Sequence, residues 1–228
     1  NRINLMAKEF YRDVLNNWKE ASFAREYLIQ RGLTIEIIDL YELGYAVDSW
    51  NQLVRHFDKN GINANMLVNL GLAASGRSGA YDRFRSRIIF PIKDIAGNVV
   101  GFGGRVIGEG QPKYLNTPET KYFNKSRILY GLFEARRFIR ELNSAVIVEG
   151  YMDVISARQH GVNNVVASLG TSLTREQVQL LMRYTREVFI AFDSDAAGVA
   201  ATIRSLDLMQ ELGCSIRVVE IPDGKDPD

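Results

Sequence analysis

From residue 145 onward, short apolar runs rich in β-branched residues alternate with segments of helical period: AVIVE, GYMDVISARQHG, NVVAS, TREQVQLLMRY, VFIAF, AGVAATIRSLDLMQELG and SIRVVEI. Continuous apolar runs of this length are the pattern of strands buried on both faces, and helices between them supply the crossovers that parallel pairing requires. The C-terminal part is therefore expected to be α/β, a parallel sheet flanked by helices. Two of the runs end abruptly in acid, at Glu149 in AVIVEGYMDV and at Asp193 and Asp195 in VFIAFDSDAAG. A third acidic group, VVEIPDGKDPD with Asp226 and Asp228, closes the chain. Ligands of open α/β sheets are held where strands end, so carboxylates at three strand ends predict a divalent-cation site.

Glu149 and the Asp193–Asp195 pair meet only if their two strands are neighbours. Acids brought within about 4 Å repel by roughly 4 kcal/mol per pair at an effective dielectric of 20. Raised pKa values or cations must compensate. With oxygen ligands and no His or Cys beside them, Mg²⁺ or Mn²⁺ is the expected ion. The competing reading makes Asp193 or Asp195 the N-cap of a helix from Ala196, which uses one acid and leaves the others without a role.

The 228 residues, 46% of them apolar, can bury a sizeable core in two domains or in one domain with a subdomain. Net charge is +1, but it is unevenly spread. Residues 77–127 hold ten Lys/Arg against four Asp/Glu, whereas 145–228 hold seven against twelve. A basic block beside an acidic one suits an enzyme that handles polyanions through a metal. The single cysteine, Cys214, excludes a disulfide framework and a thiolate zinc site. No apolar run reaches the roughly 18 residues of a membrane span and no signal-peptide pattern appears, so no membrane partner is expected. A soluble cytosolic protein is expected. The sequence stops inside its last motif, as a piece of something longer would.

Residues 1–72 read as helical, with Met6, Phe10, Val14 and Trp18 four apart, Ser22 opening a second helix and Gly32 ending it. SGRSGA at 75–80 reads as a flexible boundary. Beyond it, YDRFRSRIIFPI and NVVGFGGRVI read as two antiparallel strands flanking the turn KDIAGN. A period of two in the first sends Arg83, Arg85 and Arg87 to one face, either solvated or facing an anion. QPKYLNTPETKYFNKS at 111–126 is expected to be a long basic loop of functional kind. RILYGLFEARRFIREL is an amphipathic connector helix leading into the acidic half.

EGYMD followed by DSDAAG on a βαβ scaffold resembles the TOPRIM fold, shared by bacterial primases, topoisomerases and some nucleases. YDRFRSRIIFPI, GFGGRV, PKYLNTPET, LYGL, EGYMDV, ASLGT and DGKDPD resemble, in order, the RNA polymerase domain of bacterial DnaG-type primases, from about Tyr27 to the last residue. Ser194 stands where many of that family have Gly. The resemblance implies a TOPRIM-type parallel sheet over 145–228. Before it would come an N-terminal subdomain, 1–144, made of a helical part (1–76), a basic β and loop region (77–127) and a connector helix (128–144). It implies synthesis of RNA primers on single-stranded DNA template from ribonucleoside triphosphates, in replication. Glu149, Asp193, Asp195, Asp226 and Asp228 would hold Mg²⁺ or Mn²⁺, with Asp153 in support. Arg83, Arg85, Arg105, Lys113, Asn116 and Lys125 would contact triphosphate or template. The family's zinc-binding module needs more than one cysteine, so no zinc is expected. The segment that engages the replicative helicase is not in this sequence. A cytoplasmic, replisome-associated monomer is the expectation. A TOPRIM nuclease or topoisomerase fragment, or a non-catalytic nucleotide-binding module, are the alternatives.

Overall fold

A computed structural model describes residues 2–108, 110–169, 173–192 and 196–219. The chain forms two compact units, Asn1–Lys93 with Gly97–Asn124, and Asp94–Ala96 with Lys125–Asp228. The first contains helices α1 (Arg2–Asn17), α2 (Ser22–Gln30) and α3 (Ile35–Leu40), strand β1 (Gly44–Ala46), and helices α4 (Gln52–Lys59) and α5 (Ala64–Asn69). Strands β2 (Ala73–Gly76), β3 (Gly79–Asp82), β4 (Arg87–Lys93), β5 (Val99–Val106) and β6 (Tyr114–Asn116) complete it.

In this unit β1, β4, β5 and β6 form one antiparallel sheet in that order, and β2 and β3 form a separate hairpin. The expected β4–β5 pairing is present, from Arg87 opposite Val106 to Ile92 opposite Gly101. Helix α1 lies on β1 and β5. It buries Ala7, Phe10, Tyr11, Val14 and Leu15, with Met6 and Trp18 at the edge of the stripe rather than within it. At Gly44 the approach is so close that a Cβ would sit 2.6 Å from the Tyr11 Cβ, so any side chain there would push helix and strand apart. Ser22 is not a cap: a short 3₁₀ turn, Lys19–Ala21, runs directly into α2 and leaves Ser22 already helical.

Two expectations for this half are corrected. The region 1–72 is not wholly helical, because β1 pairs with β4; three residues are too few to carry a period of their own. Residues 75–80 are not a flexible boundary but the turn of the β2–β3 hairpin, with Gly76 opposite Gly79.

The second unit contains α6 (Leu132–Leu142), β7 (Ala145–Val148), α7 (Tyr151–Gln159), β8 (Val165–Ala167), α8 (Arg175–Leu181), β9 (Glu187–Ile190), α9 (Ala196–Glu211) and β10 (Ser215–Val218). Its sheet has the order β10-β9-β7-β8, every pair parallel, as the strand–helix alternation requires. Leu132, Ala135 and Ile139 of α6 are buried in one core with Ile147, Val166, Val178, Val188, Ile190 and Met209. Helix α6 therefore packs with this unit, which takes in Lys125–Asp228. Gly131 starts α6 at φ +78°, and a Cβ there would meet Val154 Cγ1 at 2.8 Å. Both the turn and the packing exclude a side chain.

The segment entering α6 is held by α8. Thr174 and Gln177 form a reciprocal capping box, Thr174 Oγ1 accepting from the Gln177 amide at 3.2 Å and Gln177 Oε1 from the Thr174 amide at 3.1 Å. The same fully buried Gln177 donates through Nε2 to the carbonyls of Lys125 at 2.8 Å and Ile128 at 2.9 Å. Gln177→Leu would remove the donor that both part-buried carbonyls share. It is expected to lower stability by about 2–3 kcal/mol, read from the shift in urea midpoint at unchanged slope.

Candidate active site

The parallel pairing joins β7 directly to β9, with Ile147 opposite Ile190 and the Ala191 amide donating to the Ile147 carbonyl at 2.9 Å. The condition set by the sequence is met. The strand leading to Glu149 and the strand whose run continues in sequence to Asp193 and Asp195 are neighbours. Asp193, Asp195, Asp226 and Asp228 themselves lie outside the described residues. Glu149 is half-buried in the bend after β7, ahead of Gly150, the N-cap of α7. It therefore precedes the helix, whose first turn carries Asp153. Asp153 is 8% exposed, and its Oδ2 accepts the Gly150 amide at 2.8 Å. That bond ties the first turn of α7 to the bend that carries Glu149. Among the described residues no three His, Cys, Asp or Glu side chains come together in a way that could hold a metal ion, and of the expected acids only Glu149 and Asp153 are described.

The basic residues are built differently from the expectation. Arg83, Arg85 and Arg87 do not alternate along one strand, because β3 ends at Asp82 and β4 begins at Arg87, with Ser86 between them at φ +50°. Two demands break the period. The carboxylate of Asp82 turns inward to accept the Leu53 and Val54 amides at 2.7 and 2.9 Å, capping α4, and Phe84 is fully buried. The three guanidinium groups consequently have three environments. Arg83 donates through Nε and Nη2 to the Asn116 carbonyl at 3.2 and 3.1 Å, and burial pulls its pKa below the usual arginine value. Arg85 donates to the Asp82 carbonyl and lies 4.0 Å over the ring of Trp50, which is 63% exposed and meets Tyr81 edge-on.

Arg87 is buried under the β5–β6 connection, donating to the carbonyls of Gly104 at 3.1 Å, Pro112 at 2.9 Å and Lys113 at 3.3 Å. Burial first, and then the charge of Arg85, lower its pKa. It staples the loop that carries Lys113. A Cβ at Gly104 would stand 2.7 Å from Phe84 and 3.0 Å from the Arg87 stem, which is why the run GFGGR has glycine at that place.

The expected long irregular loop is thus partly a strand. β6 pairs Asn116 with Gly103 and Tyr114 with Arg105. Thr117 then exchanges bonds with Phe102, its amide donating to the Phe102 carbonyl at 2.8 Å and its Oγ1 accepting the Phe102 amide at 2.9 Å. Arg105 and the exposed Lys113 line a cavity of about 600 Å³ together with Tyr27, Arg31 and Gln111. In this unit Arg83, Arg105, Lys113 and Asn116 gather on the β5–β6 ribbon, while Arg85 stands apart on Trp50. Lys125 belongs to the second unit, in a 3₁₀ turn anchored by Gln177. Sequence reading missed Trp50, Tyr27 and Arg31. Each stood in a stretch that reads as ordinary amphipathic helix or its flank, and only tertiary contact brings them to the basic residues.

A family model described as DNA primase catalytic core, N-terminal domain, matches residues 10–136, and a Toprim-like model matches 146–228. DNA primase of Clostridium acetobutylicum is 47% identical over 223 residues, covering 97% of this chain and 36% of that protein. The chain thus spans little more than a third of the curated relative it matches. The Escherichia coli primase catalytic core superposes with a TM-score of 0.91 at 43% identity, covering all of this chain and 74% of that one. A DnaG primase catalytic domain bound to single-stranded DNA gives a TM-score of 0.90 at 42% identity, with 100% and 74% covered. With both units matched in order and at this identity, the chain belongs to the DnaG-type DNA primase catalytic-core family.

Proposed function

We propose that this chain carries out template-directed synthesis of short RNA primers on single-stranded DNA from ribonucleoside triphosphates. The observation that carries the reading is the pairing of β7 with β9, which sets Glu149 at the end of the strand beside the one that runs on in sequence to Asp193 and Asp195. The bond formed joins a 3′-oxygen to an α-phosphorus; the bond broken releases pyrophosphate, and the hydroxyl proton leaves to solvent. Held by Glu149, Asp193, Asp195, Asp226 and Asp228, Mg²⁺ or Mn²⁺ would supply Lewis acidity for the attacking hydroxyl and the leaving group. Asp153 keeps the Glu149 bend in place through Gly150. No side-chain nucleophile is required.

The basic groups bind and orient. Arg83, Arg105, Lys113 and Asn116 offer donors to phosphate oxygens on one ribbon, and in the second unit Lys125 offers a cation of its own. Arg85 stacked on the exposed Trp50 makes a flat cationic platform of the kind on which an unpaired base can rest. Contact of this sort is electrostatic and sequence-tolerant. The working form is a monomer within the replisome.

The reading is tested by incubating the chain with single-stranded DNA and labelled ribonucleotides, with Mg²⁺, with Mn²⁺ and with EDTA. Short RNA products in either metal and none in EDTA are expected. DNA cleavage in place of synthesis would move the chain to the TOPRIM nucleases.

A further inference from the structure

Arg105 is 6% exposed, yet among the described residues no carboxylate pairs with it. A buried cation needs compensation. Here two aromatic rings supply part of it. The guanidinium carbon lies 5.5 Å from the centroid of Tyr27 and 5.5 Å from that of Tyr114. Tyr114 is its cross-strand partner, and Arg105 Nη1 donates to the Tyr114 hydroxyl at 3.0 Å. Tyr27 comes from elsewhere, the outer face of α2. It also engages Arg31 one turn on, whose Nε donates to the Tyr27 hydroxyl at 3.3 Å. One tyrosine thus touches two arginines, and all three line the cavity that also holds Lys113.

Two guanidinium groups drawn to one ring repel each other. Neither gains from the proximity unless an anion is shared. The rings attract each cation separately, by face and by hydroxyl, and so hold in advance a geometry that a phosphate would otherwise have to assemble. We propose that Tyr27 is a positioning residue that holds Arg31 and Arg105 against one cavity, so that a single phosphate-bearing ligand engages both. The proposal rests on the reading of Arg105 and Lys113 as phosphate contacts. The ligand chemistry is a phosphodiester or a polyphosphate, and the experiment separates the two sources.

Tyr27 is only half-buried, so its replacement leaves the core of α2 in place. Binding of an oligodeoxythymidylate and of ATP is measured without divalent cation for the unaltered chain, Tyr27→Leu, Tyr27→Phe and Arg105→Ala. Tyr27→Leu is expected to weaken one probe or both by about five- to thirtyfold. For the oligonucleotide, it should also flatten the dependence of log affinity on log salt by about 0.7 for each phosphate no longer engaged. Tyr27→Phe keeps the ring face over Arg105 and is expected to restore most of the affinity. Whichever probe loses affinity identifies the ligand. Unaltered binding of both probes by Tyr27→Leu, while Arg105→Ala weakens either, overturns the proposal. So does a weakening in Tyr27→Leu that comes with an unchanged salt slope and a lowered melting temperature, which is general loosening. Unaltered binding by Arg105→Ala overturns the phosphate reading beneath it.

Discussion

Glu149→Gln is expected to reduce primer synthesis by roughly two to three orders of magnitude while leaving the melting temperature nearly unchanged. Glutamine has the shape of glutamate and retains one ligating oxygen, so the substitution removes charge and little else. Glu149 lies in the bend between β7 and α7, half-buried, and the bond that fixes that bend runs from the Gly150 amide to Asp153, not to Glu149. The fold therefore has little to lose. On the proposed reading, what would disappear is a share of the negative potential that would hold a divalent cation beside the leaving pyrophosphate. Part of the activity should return at raised Mn²⁺, which tolerates mixed oxygen donors, with the metal dependence displaced to higher concentration. Asp193→Ala, which would remove the carboxylate's oxygens as well as its charge, is expected to abolish synthesis. Undiminished synthesis by a folded Glu149→Gln chain, at limiting metal, would sink the assignment of the acids.

How far such a site can be read in advance depends on whether its parts are local. The strands AVIVE and VFIAF declare themselves, because burial on both faces leaves no polar position in the run, and the acid at each end stands out against it. The order β10-β9-β7-β8 is another matter. Nothing in either strand names its neighbour, so whether Glu149 faces the strand of Asp193 is decided by crossover geometry rather than by composition. The basic residues show a second limit. Strict alternation from Arg83 to Arg87 has every mark of a strand, but Asp82 is drawn inward to cap α4, and Ser86 turns through positive φ, so the period describes no strand at all. A capping bond between residues nearly thirty apart in sequence outweighs a local pattern. Tyr27 and Trp50 fail to announce themselves for the same reason: an aromatic on a helix or beside one reads as packing until the arginine above it is seen.

Glu42→Gln is expected to lower the stability of the first unit by about 3 kcal/mol at neutral pH, the largest stability change foreseen for a single isosteric substitution here. Glu42 follows α3 at φ +53°, a conformation that costs a non-glycine residue about 1–2 kcal/mol and that usually selects glycine after a helix. That the chain accepts glutamate there points to a larger gain elsewhere. Its carboxylate bridges Lys8 of α1 and Lys93 of β4, the latter at 2.8 Å, and both lysines are largely withdrawn from solvent. Burial by itself would raise the Glu42 pKa, but the hydrogen bonds and charges of the two lysines outweigh it and hold the carboxyl below its ordinary value. The sign for stability follows. A carboxyl depressed in the folded state contributes fully above its unfolded pKa, near 4.5, and loses that contribution as pH falls through the lower folded value. Urea midpoints measured from pH 7 to pH 3 should therefore converge for Glu42→Gln and the unaltered chain as the pH drops. Glu42→Gly separates the two effects. It removes the same charge but relieves the backbone, and should recover about 1 kcal/mol relative to Glu42→Gln. Equal stability of Glu42→Gln and the unaltered chain at pH 7 would show that Glu9, 3.1 Å from the Lys8 ammonium, suffices to satisfy it. In that case the positive φ at Glu42 would be set by the β1 connection alone.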